Sequence, residues 1–194
     1  YDILDGVAVA SHGPVKSVFL AHQQPLEEIK TIHCDTASLT SVNLLCVLLA
    51  ERGLRPALEP LPNYAQAATL DNVLLIGNPA IDFLRAPHTH TIWDLGAAWR
   101  ELTNLPFVYA GWALRQGHHN TALRNHLRAA KTRGLKQLPE IIATRPDYDA
   151  AFRQAYLGGH IQYDLGETEK AGLAKFVELL KTHGEQEVHE PSFV

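Results

Sequence analysis

The chain has 194 residues, 46% of them hydrophobic and 20% charged, and a formal net charge of −4 with histidines neutral. That length suits one good core or two small lobes, and the composition is that of an ordinary globular protein, neither disordered nor fibrous. A net negative chain offers no broad basic surface for phosphates, which argues against a nucleic-acid partner. No apolar stretch approaches the roughly 20 residues that cross a bilayer, and Tyr1 to Ser11 has no basic leader region. No membrane partner and a cytoplasmic location are therefore expected.

In chain order, the first strands are predicted at Val7–Ala10, Ser17–Leu20 and Thr31–Cys34. A helix over 38 to 52 follows, because Val42, Leu45, Cys46 and Leu49 recur at i, i+3, i+4 and i+7. The Glu59 to Ala68 segment, with Pro60 and Pro62, reads as an extended connection. Next come a strand at Val73–Ile76, a helix over 94 to 103, a strand at Pro106–Ala110 and a helix over 119 to 133. The last helix, 168 to 182, carries a stripe of Leu173, Phe176, Val177 and Leu180. Gly53, Gly134 and Gly184 are placed to end three of these helices with left-handed caps. The polar tail from Gly184 is expected to be loosely held. Short strands alternating with amphipathic helices make an α/β protein.

Cys34 falls at a strand end and Cys46 inside a helix, so reduced thiols are expected. The eleven histidines include His88, His90, His118 and His119 in loops flanked by Pro and Gly. None has the i, i+4 spacing and the added Cys or carboxylate of a metal site, so they read as solvated loop residues. No metal and no cofactor are expected.

Chemistry is sought at three polar junctions. Cys34 leads into Asp35, Thr36, Ala37, Ser38, Leu39, Thr40 and Ser41, which opens a helix. Backbone N–H groups and hydroxyls gathered there suit a carboxylate or phosphate; a helix cap would need only one of them, and both readings stand. Ser11, His12, Gly13 and Pro14 follow the first strand, with Gly13 permitting a tight turn or close approach to a ligand. Gly77, Asn78 and Pro79 follow a third strand, and Asn78 supplies an uncharged donor and acceptor. In open α/β sheets such carboxyl ends of strands are where ligands bind. No nucleophile elbow, Walker loop or dinucleotide fingerprint occurs.

The stretches "VASHGPVKSV", "IHCDTASLTSVNLL", "LLIGNPAI", "IWDLGAAWRELTNLPFVYAGWA" and "YLGGHIQYDLG…GLAKFVELL" resemble, in that order, the chorismate dehydratases of the futalosine route to menaquinone. The resemblance covers nearly the whole chain. It implies a two-lobed α/β fold similar to type II periplasmic binding proteins, with the ligand in the cleft. Residues 18 to 105 would form one lobe, 1 to 17 and 106 to 194 part of the other, with hinge crossovers near 11 to 17 and 107 to 112. The family has a further N-terminal stretch, so the N-terminal part of that other lobe is expected to be missing from a chain that begins at Tyr1. The family also more often carries an acid where this chain has Asn78.

The resemblance implies a lyase that dehydrates chorismate, a small-molecule partner, to 3-[(1-carboxyvinyl)oxy]benzoate. Ser11, Gly13, Thr36, Ser38, Thr40 and Asn78 are the expected substrate contacts, with Ser11 and Asn78 nearest the chemistry. The proton acceptor is either the substrate's own enolpyruvyl carboxylate or His12. Two other readings remain, a non-catalytic anion-binding protein of the same fold and the sister naphthoate-releasing enzyme of the pathway. The oligomeric state is left open.

Overall fold

The computed structural model describes residues 1–184 and 188–194. Its strands are β1 (Asp2–Ser11), β2 (Val18–His22), β3 (Thr31–Cys34), β4 (Ala57–Pro60), β5 (Asn72–Ile76), β6 (Thr91–Asp94) and β7 (Phe107–Leu114). Its helices are α1 (Leu39–Ala50), α2 (Asn78–Arg85), α3 (Leu95–Thr103), α4 (Thr121–Thr144), α5 (Ala150–Ala155) and α6 (Glu167–His183). The π-helical turn Tyr156–His160 continues α5.

Two sheets form. The larger has the order β4-β3-β5-β2-β6. Its middle is parallel, β3 against β4 and β5, while β2 runs antiparallel to both β5 and β6. The inner strands β2 and β5 are buried on both faces because α1 and α3 pack against one side of the sheet and α2 against the other. The second sheet is the antiparallel pair β1-β7, whose register shifts between Ile3 and Ala8 and again between Val9 and Ala10. Gly6 sits in the first shift at φ 79°, a conformation that glycine adopts without strain.

The main core joins Leu20, Ile32 and Leu74 of the large sheet to Leu44, Leu45 and Leu48 of α1 and to Trp99 of α3. It does not stop at the end of α3, since Phe107 of β7 and Phe176 and Leu179 of α6 belong to the same cluster. Gly172 allows that packing: a Cβ there would lie 2.1 Å from the Pro106 carbonyl oxygen.

Several sequence expectations need correction. The extended connection at 59 to 68 contains the end of β4 and a 3-10 helix at Tyr64–Thr69. The helix expected to stop at Gly134 runs on through Pro139 to Thr144, and burial of Ile142 at its end supplies the tertiary contact that propensity could not foresee. Gly53 has the expected left-handed φ of 73°, but Gly184 follows α6 at −85°. The tail was expected to be loose, and its residues 185–187 lie outside the described ones. Its last residues are tied to the open edge of β1 by Ile3 N–H to Ser192 O at 2.7 Å and Val194 N–H to Ile3 O at 3.0 Å. The histidine pairs are not simply solvated: His90 is buried with its Nε2 2.7 Å from Leu70 O, His88 stacks on Phe83, and His119 bonds Asp2 at 2.8 Å.

Both cysteines are free, as expected, and burial pushes the Cys34 thiol up to about 12.

Candidate functional site

Strand directions bring the polar junctions to one edge of the large sheet. Val18 at the start of β2 pairs with Ile76 at the end of β5, and Phe19 with Asp94 at the end of β6. The parallel strands β3 and β4 end on the same side, at Cys34 and Pro60. Neighbouring strands lie about 4.8 Å apart, so the ends of β3, β5 and β2 span roughly 10 Å. Asp35 to Ser38, Gly77 to Asn78 and Ser17 share that edge, and Ser11 precedes Ser17 in the crossover that reaches it. Three helices start there, α1 capped by Ser38, α2 preceded by Gly77 and α3 capped by Asp94. Their first-turn N–H groups favour negative charge at this edge.

Each expected site residue has a distinct setting. Ser11 is 1% exposed, and its hydroxyl donates to Gly13 O at 2.9 Å while lying 3.3 Å from Tyr109 Oη. Its proton is thus spent on shaping the turn. Gly13 stands at φ 147° and its carbonyl abuts Gly96, where a Cβ would come within 2.3 Å. Ser38 is the α1 cap: its Oγ accepts from Ser41 N–H at 3.3 Å and from the Ser41 hydroxyl at 3.1 Å. Thr36 is exposed and Thr40 half-buried, and neither hydroxyl has a hydrogen-bond partner among the described residues. Thr36 lines a 130 Å³ hollow with Asn63 and Tyr64.

Asn78 is the first residue of α2 rather than part of a free turn, because Pro79 lacks only an N–H that a first helical turn would leave unbonded anyway. It opens on a cavity of about 320 Å³ between α2 and the end of α4 with α5. Gly77 N–H donates to Ser17 O at 2.7 Å and Tyr156 Oη to Ser17 Oγ at 2.9 Å, which ties this cavity to the sheet edge.

Other groups were missed. Asp94 accepts from Val15 N–H at 3.1 Å, Lys16 N–H at 2.8 Å and Ala97 N–H at 3.0 Å, so one carboxylate pins the first crossover to α3. An Asp just before a helical run is a legible cap; its second duty is not. His12 Nε2 lies 2.7 Å from Oε1 of Glu169, whose other oxygen accepts from Gly166 N–H. Nothing in the sequence joins positions 157 residues apart. Burial raises the Tyr109 phenol well above its ordinary range, so it stays protonated beside Ser11. Among the described residues no group of three or more His, Cys, Asp or Glu side chains could hold a metal ion, and no helix is long and apolar enough to cross a membrane.

The settings of the hydroxyls separate capping from ligand contact. Ser38→Ala should lower folding stability by about 1 kcal/mol. Thr36→Val should leave the melting temperature unchanged and weaken binding of a carboxylate ligand at this edge about tenfold to a hundredfold, as expected for one lost hydrogen bond to a charged group. Thermal melts and ligand titration of both variants check this; a destabilised Thr36→Val protein with unchanged affinity would return Thr36 to a purely structural role.

The arrangement is that of a mixed α/β protein. A protein from Archaeoglobus fulgidus superposes with TM-score 0.61 at 19% identity, over 94% of this chain and 72% of that one. An ABC transporter protein from Parabacteroides distasonis superposes with TM-score 0.58 at 15% identity, over all of this chain and 73% of that one. Those likenesses concern fold alone. The chain belongs to the menaquinone-biosynthesis family, whose pattern matches residues 1–182. It is 34% identical to the chorismate dehydratase of Thermus thermophilus over 92% of this chain and 73% of that protein.

Proposed function

We propose that the chain is a chorismate dehydratase, a hydro-lyase that converts chorismate to 3-[(1-carboxyvinyl)oxy]benzoate and water on the futalosine route to menaquinone. The observation that carries this reading is the sheet edge with three helix N-termini and uncharged donors, in a chain 34% identical to an enzyme of that name. In this reading the fold is two-lobed, 18 to 105 being one lobe and the rest part of the other, the enzyme works in the cytoplasm, and the ligand lies across the crossovers.

The reaction breaks the ring C3–H and C4–O bonds, and the electrons of the C–H bond complete an aromatic ring. Aromatisation supplies the driving force, so the protein needs chiefly to fix the ring and hold two carboxylates. Thr36 and Thr40, with the N–H groups of the α1 N-terminus that Ser38 caps, receive the enolpyruvyl carboxylate. Asn78 donates to the departing C4 oxygen, for which a neutral amide suffices. The Gly13 turn, fixed by Ser11, shapes the wall opposite. The enolpyruvyl carboxylate takes the C3 proton and passes it to the departing C4 hydroxide, which leaves as water. Two features favour this carboxylate over a side chain: His12 is not among the residues lining the Asn78 cavity, and the one carboxylate that lines it, Asp147, is paired with Arg145 at 2.9 Å.

Incubation with chorismate, followed by mass spectrometry, tests the reading. A product lighter by one water supports the dehydratase, whereas binding without conversion supports an anion-binding protein. His12→Asn should keep turnover within a factor of a few. A loss of about a hundredfold or more, the usual scale for a general base, would assign the proton to His12.

A further inference from the structure

Arg153, on α5, is 8% exposed. Its Nε donates to Ile142 O at 2.7 Å and its Nη1 to Asp147 O at 3.1 Å and to Tyr148 O. All three acceptors are neutral backbone carbonyls. A guanidinium has five N–H groups, and both on Nη2 are without an acceptor among the described residues. The nearby acids are spent elsewhere, Asp147 on Arg145 and Asp149 on Arg85 at 2.8 Å. A cation so withdrawn from water is costly unless an anion accompanies it, and no side chain among the described residues supplies one.

The group lies in the wall of the 320 Å³ cavity that Asn78 opens on. That volume is at the small end of ligand pockets. Its other walls suit a flat ring: Phe152 and Tyr156 stack with centroids 5.6 Å apart and planes within 10°, and Ile81, Ile141 and Leu157 add apolar surface. A cyclic carboxylate with its charge at one end matches both features.

We propose that Arg153 binds the ring carboxylate of the substrate in this cavity, with the ring against Phe152 and Tyr156 and the enolpyruvyl arm directed past Asn78 to the α1 N-terminus. This deepens the dehydratase reading and rests on it. The two carboxylates of one molecule then meet chemically different partners: the N–H groups of one charged guanidinium nitrogen, Nη2, aimed by the backbone carbonyls that hold Nε and Nη1, for the ring carboxylate, and hydroxyls with helix N–H groups for the mobile arm. The division gives each end of the molecule its own test.

Arg153→Lys keeps the charge and removes the Nη2 donors together with the backbone contacts that aim them. It should raise KM for chorismate at least about tenfold with kcat little changed, as loss of uniform binding does. Affinity for 3-methoxybenzoate, which carries only the ring carboxylate, should fall equally, while affinity for 2-phenoxyprop-2-enoate, which carries only the arm, should stay within about twofold. Unchanged affinity for 3-methoxybenzoate, or equal losses for both probes with a lower melting temperature, would overturn the proposal and leave Arg153 a staple for the loop after α4. A wild-type protein that does not convert chorismate would sink the dehydratase reading instead. If the variant does not fold, amide exchange of the wild type decides: 3-methoxybenzoate should protect 147 to 157 and its methyl ester should not, and equal protection by both, or none by either, would overturn the assignment.

Discussion

Gly96→Ala is expected to cost about 1–3 kcal/mol of folding stability, the usual range for overpacking, and at least about tenfold in chorismate turnover. The added Cβ would lie 2.3 Å from Gly13 O, 2.7 Å from Tyr109 Oη and 2.9 Å from Ser11 Oγ. The nearest of these is backbone and cannot rotate away. It is already fixed by the Ser11 hydroxyl, while α3 is fixed from the other side by Asp94. Relief must come from moving the first crossover, and with it the wall of the site. Urea denaturation and turnover measured on the same preparation check both parts, and an alanine variant with wild-type kinetics would show that the crossover does not shape the site.

Trp99→Ala should be more damaging to the fold, at about 3–5 kcal/mol for an aromatic core truncation. The indole is fully buried, sits edge-to-face on Phe107 at 5.3 Å and Phe176 at 5.9 Å, and donates to Pro106 O at 3.0 Å. Its loss leaves a cavity and also an acceptor confined between α3 and Gly172. Trp99→Phe keeps part of the packing and should fall well short of the alanine loss. Chemical denaturation midpoints order the two variants; equal losses would mean that the ring volume matters little and the N–H carries the effect.

All five strands predicted from apolar runs are present, because buried strands declare themselves by composition. The strands missed, β4 with the sequence ALEP and β6 with TIWD, are short and lie at the two edges of the large sheet. An edge strand needs little burial, and the four residues of β4 are all exposed. The α2 helix was hidden by Gly77-Asn78-Pro79, a turn signal that also fits a helix start. At the site, residues at strand ends were legible because a turn and a helix start are local patterns. Glu169 meets His12 across 157 residues of chain and Tyr109 meets Ser11 across 98, while Arg153 sits on a six-residue helix that the sequence does not announce, and no local pattern encodes such meetings. Ser11 shows the opposite difficulty: its strand-end position was legible, but that its hydroxyl donates to Gly13 O was not.

The long helix α4 has 24 residues and buries one side chain, Ile142. It is held to β1 by polar reaches instead, Arg128 to Asp5 O at 3.0 Å and to Val194 O at 2.8 Å, and Lys131 to Gly6 O at 2.7 Å. Apolar burial is the main source of resistance to local opening, so the molecule divides into two grades of cohesion. Amides of β2, β3 and β5 should exchange only when the whole chain unfolds, while those of α4 should exchange through partial opening that salt promotes by screening the Lys131–Asp164 ion pair. The end of α4 also supplies Ile141 and Arg145 to the Asn78 cavity. Ionic strength therefore acts on this protein at a distance from its sheet, by setting how often one wall of that cavity is in place.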